Sequence, residues 1–303
     1  VCFEAASDIT GGPMITLRLS QLLALALAML TVVIMASASG PAPREFVGAI
    51  YATFVLFAAL LFGLLFLIMK WATGGSTTYW SARPAQLRRV IVMIGAALLL
   101  HLALSWPLEL SGLTERTAVP VALFCWTIAS AAFLLLGPVR WPTRLNRASA
   151  SRVLLVGAPA IALALVVSWS KFALYPTGFH SPSAGALILS VAFLVLAASA
   201  EEIVFRVLLL TALLDATRSR LNAVFLSSAT FGLTHAPLAL LQPIAQQDWA
   251  LLQLAASNYG PVLLMQTLAG LLLGAVWLRT GSIGLVVITH VIMNIGPVLP
   301  TAY

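Results

Sequence analysis

Charged and histidine side chains within apolar stretches are the residues of this chain whose types and spacing could do chemistry. Glu201 and Glu202 lie well inside one long apolar run, and His235 and His290 lie inside two later runs. A buried carboxylate beside imidazoles can accept a proton from water, hold a water molecule or take part in a proton relay. Because ionisable groups are costly to bury in an apolar medium, these four are functional candidates.

The two neighbouring carboxylates are predicted to have different roles. Glu202 and Arg206 are four residues apart, so on an α-helix they share a face and can pair. Glu201 is turned about 100° away from Glu202 on a helix of 3.6 residues per turn, so Arg206 neutralises it less easily. We interpret Glu202–Arg206 as a structural ion pair and Glu201 as the catalytic carboxylate. The alternative is that both acids serve one buried ion-pair cluster.

The histidine motifs share one spacing. Phe231 and His235 are four residues apart, as are His290 and Asn294, so each pair is predicted to share a helix face. The Asn294 amide offers donors and an acceptor, and it can stabilise an oxyanion or join two helices. A histidine such as His235, taken alone, more often packs or forms a hydrogen bond than catalyses. His101 is predicted to be a buried histidine of the bundle.

Membrane-spanning helices must position these residues. The chain of 303 residues is 61% hydrophobic and only 8% charged, whereas soluble chains are about 45–50% apolar and about 25% charged. A spanning helix needs about 20 apolar residues. Runs of sufficient length lie near 19–38, 47–69, 90–108, 118–138, 153–170, 184–214, 221–241, 261–278 and 282–299. The fold class is therefore predicted to be all-α, a polytopic transmembrane helix bundle of about 8–9 spanning helices.

Two regions and one orientation are predicted from these runs. Residues 1–183 would form five spans with short loops, and residues 184–303 would form a core of four helices that carries the candidate residues. The run near 184–214 is long for one span, so it should tilt, kink or continue past the lipid. With the N-terminus in the cytoplasm, the inner loops hold 12 Lys and Arg residues and the outer loops hold 3. This agrees with the positive-inside rule and explains the net charge without a nucleic-acid partner.

Further predictions concern the N-terminal end and the cysteines. Residues 1–13 precede Met14 and are interpreted as an upstream extension. The first span ends in Ala36-Ser37-Ala38, as a signal peptide would, but it is long for one, so an uncleaved anchor is predicted. Cys2 and Cys125 do not suggest a disulfide framework.

Three motifs occur in order on successive predicted helices: Glu-Glu-x-x-x-Arg at 201–206, Phe-x-x-x-His at 231–235 and His-x-x-x-Asn at 290–294. Together with the run 278–282, they resemble the CAAX-processing and bacteriocin-processing (CPBP) family of intramembrane proteases, also called the abortive-infection family. The resemblance covers about 184–296.

The resemblance implies a membrane-embedded endopeptidase, placed in the inner or plasma membrane if the source is bacterial. It implies catalytic-site positions at Glu201, His235, His290 and Asn294. Its other motif positions are Glu202, Arg206 and Phe231.

The predicted reaction is hydrolysis of a peptide bond in a membrane-associated or lipid-anchored protein or peptide. Glu201 would activate the water and His235 would help to hold it, while His290 and Asn294 would stabilise the oxyanion. The expected partners are this substrate and the bilayer.

A zinc site and two other functions remain as alternatives. Glu201, His235 and His290 would form a common zinc set. The chain has no His-Glu-x-x-His motif, and Asn294 is a poor zinc ligand, so a reaction without a metal cofactor is favoured. The other candidates are a non-enzymatic bacteriocin-immunity or scaffold protein of the same fold and a proton-coupled transporter. The complete motif set argues against the first, and the lack of a detectable internal repeat argues against the second.

Overall fold

The computed structural model describes residues 56, 67, 79–82, 86–111, 114–173, 183–235, 244, 247 and 249–301. Its helices are α1 (Gln86–Leu110), α2 (Thr114–Leu135), α3 (Ala150–Ala173), α4 (Ala184–Glu202), α5 (Thr211–Thr217), α6 (Arg220–Leu233), α7 (Trp249–Thr280) and α8 (Ile283–Thr301). A π-helical segment, Ile203–Leu210, joins α4 to α5. The predicted span near 19–38 lies outside the described residues, as does the span near 47–69 apart from two helical positions, 56 and 67.

Several helices are suited to a membrane. Gln86–Leu110, Ala150–Ser170 and the continuous helix Ala184–Thr217 are long and apolar enough to cross one, and Pro120–Leu135 and Ile283–Gly296 are shorter apolar helices. Large apolar side chains on the outside of the bundle are exposed, as lipid contact would require. The predicted helix bundle is therefore confirmed for the described residues, and the count of eight to nine spans stays a prediction.

The sixth apolar run forms one continuous helix that contains the π-helical segment. A π-helix bonds each N–H to the carbonyl five residues earlier, and such turns are frequent at functional sites. The segment is buried from Val204 to Leu210. The Ser227 hydroxyl of α6 donates to the Phe205 carbonyl, with an O–O distance of 2.7 Å, which ties the segment to α6. Arg206 therefore lies in a π-helical segment, whereas the sequence analysis had placed it on an α-helix.

Helix α6 is shorter than the predicted run 221–241. It begins after Ser219, whose hydroxyl accepts the N–H of Asn222, and it ends at Leu233. Thr234 and His235 form a turn, so the prediction that His235 lies on a helix face is wrong. The sequence supplies a reason in Pro237, because helices usually end at or before the residue that precedes a proline.

Close helix crossings hold the elements that carry the candidate residues. A Cβ on Gly270 of α7 would lie 2.8 Å from the Ser228 Cβ of α6, and one on Gly274 would lie 3.2 Å from a Val224 methyl. Gly270 and Gly274 thus form a small-residue face of α7 that allows close approach of α6. On the other side of the core, the Gly296 N–H of α8 donates to the Ser168 hydroxyl of α3 at 2.9 Å. These crossings fix α6 and α8 against their neighbours.

A short ladder departs from the all-α prediction. Strand β1 (Trp80–Ser81) pairs antiparallel with β2 (Thr143–Arg144). Both strands lie in stretches that were predicted to be loops. The ladder forms because these stretches meet at one end of the bundle, where the Trp80 ring stacks on Trp277 of α7 with ring centroids 5.5 Å apart.

Candidate active site

Glu202 lies at the centre of a buried polar cluster. Its Oε1 accepts a hydrogen bond from His290 Nδ1 at 2.7 Å, and its Oε2 lies 3.0 Å from Arg206 Nε. Its side chain has no exposed surface. The carboxylate therefore links α4, the π-helical segment and α8. An uncompensated charge at this depth would be strongly destabilising, and pairing on both oxygens removes that penalty.

The sequence analysis did not predict the contact between Glu202 and His290. The two residues are separated by 88 positions, and no local spacing rule connects them. The interpretation of Glu202 named only Arg206 as its partner, and His290 was assigned solely to the oxyanion.

Arg206 contacts an aromatic ring as well as a carboxylate. Its guanidinium carbon lies 4.8 Å from the ring centroid of Phe231. Although Nε is close to Glu202, the angles do not make a hydrogen bond, and neither terminal nitrogen has a hydrogen-bond partner among the described residues. A cation over a ring face is attracted by the ring quadrupole, more strongly when both groups are desolvated. Phe231 thus stabilises the buried guanidinium, whose terminal nitrogens have no hydrogen-bond acceptor among the described residues.

Phe231 is the ring that the three motifs share. Its centroid lies 5.0 Å from that of His235 and 6.0 Å from that of His290, and both imidazoles meet it edge to face. Edge-to-face contacts are a favoured geometry for aromatic rings. One phenyl ring therefore contacts both histidines and Arg206. The sequence motif had paired Phe231 with His235 alone.

His235 has a defined hydrogen bond although it lies beyond the end of α6. Its Nδ1 lies 2.8 Å from the carbonyl oxygen of Phe231. Since a carbonyl can only accept, Nδ1 carries the proton, and in the neutral ring Nε2 then carries a lone pair. His235 is partly buried. Its ring can accept a hydrogen bond from water through Nε2.

Glu201 differs from Glu202 in exposure and in partners. Its side chain is 22% exposed, and its Oε2 lies 3.8 Å from His290 Nε2. That separation exceeds a direct hydrogen bond. His290 therefore lies between the two carboxylates, with Nδ1 bonded to Glu202 and Nε2 turned toward Glu201.

Two further polar residues complete the surroundings. Asn294 follows His290 by four residues on α8 and is partly buried. His101 of α1 is only 3% exposed, which confirms that it is buried. Its Nδ1 has no hydrogen-bond partner in the described part of the chain. The spacing of the motifs contained no signal for His101, because α1 lies far from them in sequence.

The zinc set of Glu201, His235 and His290 stays a prediction, as does a reaction without a metal. Within the described ranges, no group of three or more His, Cys, Asp or Glu residues is placed to hold a metal. The Nδ1 atoms of His290 and His235 are already bonded, to Glu202 and to a carbonyl. Nε2 is therefore the nitrogen that each ring can offer to a ligand, and such Nδ1 bonds also occur in zinc-binding histidines.

Residues 183–296 match the Rce1-like family model, described as type II CAAX prenyl endopeptidase Rce1-like. The matched residues coincide with the stretch, about 184–296, over which the three motifs resemble the CPBP family. No curated protein and no solved structure is detectably similar to the chain. The Rce1-like segment contains every residue of the three motifs, whereas α1, α2, α3 and both strands lie outside it. Together with the apolar helices, the match indicates an integral membrane protein.

Proposed function

We propose that this protein is an intramembrane endopeptidase that hydrolyses a peptide bond of a membrane-associated or lipid-anchored protein. Glu201 is the base that activates the water. The observation that carries the proposal is the contrast between adjacent carboxylates. Glu202 is enclosed by Arg206 and His290, whereas Glu201 remains 22% exposed and 3.8 Å from the nearest ring nitrogen of His290.

The first step is the attack of water on the scissile carbonyl. Glu201 accepts a proton from the water as its oxygen forms a bond to the carbonyl carbon. His235 orients the water through the Nε2 lone pair, which is available because Nδ1 donates to the Phe231 carbonyl. The products of this step are a protonated Glu201 and a tetrahedral intermediate that bears an oxyanion.

The second step is the collapse of that intermediate. The protonated Glu201 gives its proton to the nitrogen of the leaving amine as the carbon–nitrogen bond breaks, so the carboxylate is regenerated. Donors aimed at the oxyanion lower the barrier for both steps. His290 Nε2–H and the Asn294 amide are the groups assigned to that task.

Glu202 and Arg206 act in this scheme by holding His290. The bond from Nδ1 to Glu202 Oε1 orients the imidazole and stabilises its protonated form. With both nitrogens of His290 protonated, two carboxylates face two cations, and the formal charges of the cluster sum to zero. A neutral cluster is the least costly charge state in an apolar surrounding.

The proposed substrate class follows the description of the matched family. A protein that ends in a prenylated CAAX sequence, in which a lipid-modified cysteine precedes two aliphatic residues and a variable one, is the first substrate to test. A panel of other membrane-anchored proteins is the second, since leader peptides and sorting tails would present the same peptide bond at the same depth.

The test compares two matched variants with the wild type. The full chain in lipid nanodiscs is incubated with a prenylated CAAX peptide, and the products are measured by mass spectrometry. We expect Glu201→Gln to reduce cleavage by about 10²–10⁴-fold while thermal stability is retained, as for loss of a general base. Glu109→Gln, at the far end of α1, makes the same chemical change outside the cluster and should cleave at the wild-type rate.

If the peptide is not cleaved, the same variants are compared by proteomics of membrane-anchored proteins in cells. Cleavage by Glu201→Gln within a few-fold of wild type would contradict the proposal. Wild-type protein that cleaves nothing in either assay would favour the scaffold alternative.

A further inference from the structure

The π-helical segment Ile203–Leu210 begins directly after Glu202 and contains Arg206. Its turns close on the fifth residue instead of the fourth, so the segment holds about one residue more than an α-helix of the same length. One extra residue rotates the helix before it by about 100° relative to α5. Since Glu201 and Glu202 are themselves about 100° apart, an α-helical segment would turn Glu202 to the direction that Glu201 has now. The register of the segment therefore decides which side chain faces His290.

Two hydroxyl groups hold consecutive carbonyls of the segment. The Ser227 hydroxyl of α6 donates to the Phe205 carbonyl at 2.7 Å, in a buried bond between separate helices. The Thr211 hydroxyl donates to the Arg206 carbonyl, five residues earlier, at 3.4 Å. In the α-helical part of the same helix, the Thr217 hydroxyl donates to the carbonyl four residues earlier. The bond of Thr211 thus follows the wider π-helical turn, and the bond of Ser227 holds that turn from outside.

Ser227 differs from its neighbour Ser228 in the group to which its hydroxyl donates. Both residues are 1% exposed. The Ser228 hydroxyl donates to the Val224 carbonyl of its own helix at 2.6 Å, which is a common bond for a serine inside a helix. The Ser227 hydroxyl instead reaches the π-helical segment. One hydroxyl therefore serves α6 alone, and the other serves the segment beside Glu202.

Ser227 shares a face of α6 with Phe231, which follows it by four residues. The Phe205 ring meets the Phe231 ring edge to face, with centroids 5.2 Å apart. Helix α6 thus holds Phe205 at its carbonyl through Ser227 and at its ring through Phe231. The guanidinium of Arg206 lies over the same Phe231 ring. This face of α6 therefore contacts both the backbone of the segment and the cation that pairs with Glu202.

We propose that Ser227 is a positioning residue of the endopeptidase. Its bond to the Phe205 carbonyl holds the segment in the π-helical register, in which Glu202 bonds to His290 and Glu201 is turned away from that bond. Loss of the hydroxyl removes a donor from a buried carbonyl and releases the segment toward the α-helical register. Ser227 acts on the reaction through Glu202 and His290. Its effect on catalysis rests on the proposed function, whereas its effect on the register does not.

The first test compares the steady-state cleavage rates of Ser227→Ala and Ser228→Ala, a matched control that removes a buried hydroxyl from the next position of α6. The full chain in nanodiscs is used with the substrate that the wild type cleaves. We expect Ser227→Ala to lower kcat by about 10²-fold, as for a displacement of about 1 Å at the reacting groups, and to leave KM close to the wild-type value. Ser228→Ala should keep the wild-type kcat. Equal losses of kcat in the two variants would show a general effect of lost packing and would overturn the proposal.

The second test reads the bond between His290 and Glu202 without cleavage. Isotopically labelled histidine is incorporated into the full chain, and the Nδ1–H proton of His290 is assigned in the NMR spectrum by its loss in Glu202→Gln. A proton held by a carboxylate resonates at low field, so its position reports this hydrogen bond. We expect the resonance to stay in place in Ser228→Ala and to move upfield or disappear in Ser227→Ala. An unmoved resonance in Ser227→Ala would contradict the positioning role.

A third variant keeps the test decisive if Ser227→Ala does not fold. Thr211→Val removes the other hydroxyl of the segment with little change of shape, and it should move the resonance in the same direction by a smaller amount, because its bond is longer. An unmoved resonance in that variant would overturn the proposal. A wild-type chain that cleaves no substrate would count against the proposed function, and the resonance would still decide whether Ser227 sets the register.

Discussion

The polar cluster around Glu202 and the contacts between β1 and Asp215 hold carboxylates in different surroundings. Around Glu202, two carboxylates meet Arg206 and His290, so the charges can balance within the chain. At the end of the bundle, the exposed Asp215 accepts hydrogen bonds from the Ala82 N–H and the Ser81 hydroxyl. The first cluster lies within the bundle, where an unpaired charge is strongly destabilising. The second is open to solvent, where pairing contributes little to stability. Internal charge balance is therefore a requirement of the fold around Glu202 and not around Asp215.

The largest effect is expected when the internal balance is broken. Arg206→Leu leaves Glu202 with His290 as its one remaining charged partner, so the free energy of unfolding should fall by about 3–5 kcal/mol. The double variant Glu202→Gln/Arg206→Leu should be less destabilised than the sum of its single variants, because the pair is removed together. Thermal unfolding of the solubilised protein measures both. An unchanged Tm in Arg206→Leu would show that the pair does not stabilise the fold.

A smaller effect is expected from the ring that the motifs share. Phe231→Leu keeps an apolar side chain but removes the face beneath Arg206 and the edge contacts to His235 and His290. We expect a loss of about 1–3 kcal/mol, together with a lower kcat, because both imidazoles lose a packing partner. Phe124→Leu, at a 52% exposed position of α2, is the matched control. Equal Tm and kcat for the two variants would contradict a positioning role for Phe231.

The end of the bundle can be perturbed without touching the catalytic residues. Gly281 has a φ of +56°, and a Cβ there would lie 2.6 Å from the Tyr79 Cβ. Gly281→Ala should therefore cost about 1–2 kcal/mol and displace Tyr79 from Arg152. Gly284→Ala, where a Cβ meets nothing within 4 Å, should be neutral. Cleavage per folded molecule should be the same in both, and a specific loss in Gly281→Ala would show that the two regions are coupled.

No effect is expected from removing metal ions. Because the proposed steps need only Glu201, His235, His290, Asn294 and a water molecule, chelators should leave cleavage unchanged. Metal analysis of purified active protein, before and after dialysis against a chelator, provides the control. One zinc ion per chain that is lost together with activity, and restores activity on return, would require a different mechanism.

Local spacing was sufficient to predict much of the catalytic region. The contact between Glu202 and Arg206 lies within one helical turn, so its existence follows from their separation of four residues. The apolar runs near 90–108, 153–170 and 282–299 correspond to α1, α3 and α8, because a helix in lipid must be long and apolar regardless of its neighbours. The order of three motifs indicated the same region, about 184–296, that the Rce1-like family model matches.

Contacts between distant segments were decided by the tertiary structure. The bond from His290 to Glu202 and the bond from Arg152 to Tyr79 join segments that are distant in sequence. Helices that are apolar on every side do not reveal which faces meet. The π-helical turn at Ile203–Leu210 depends on burial and on the Ser227 hydroxyl from another helix. His235 lies in a turn because α6 ends at Leu233. Sequence alone thus determined which polar residues lie within apolar helices, since that is set by composition and local spacing. Packing determined which of them meet, since that depends on the shapes of facing helices.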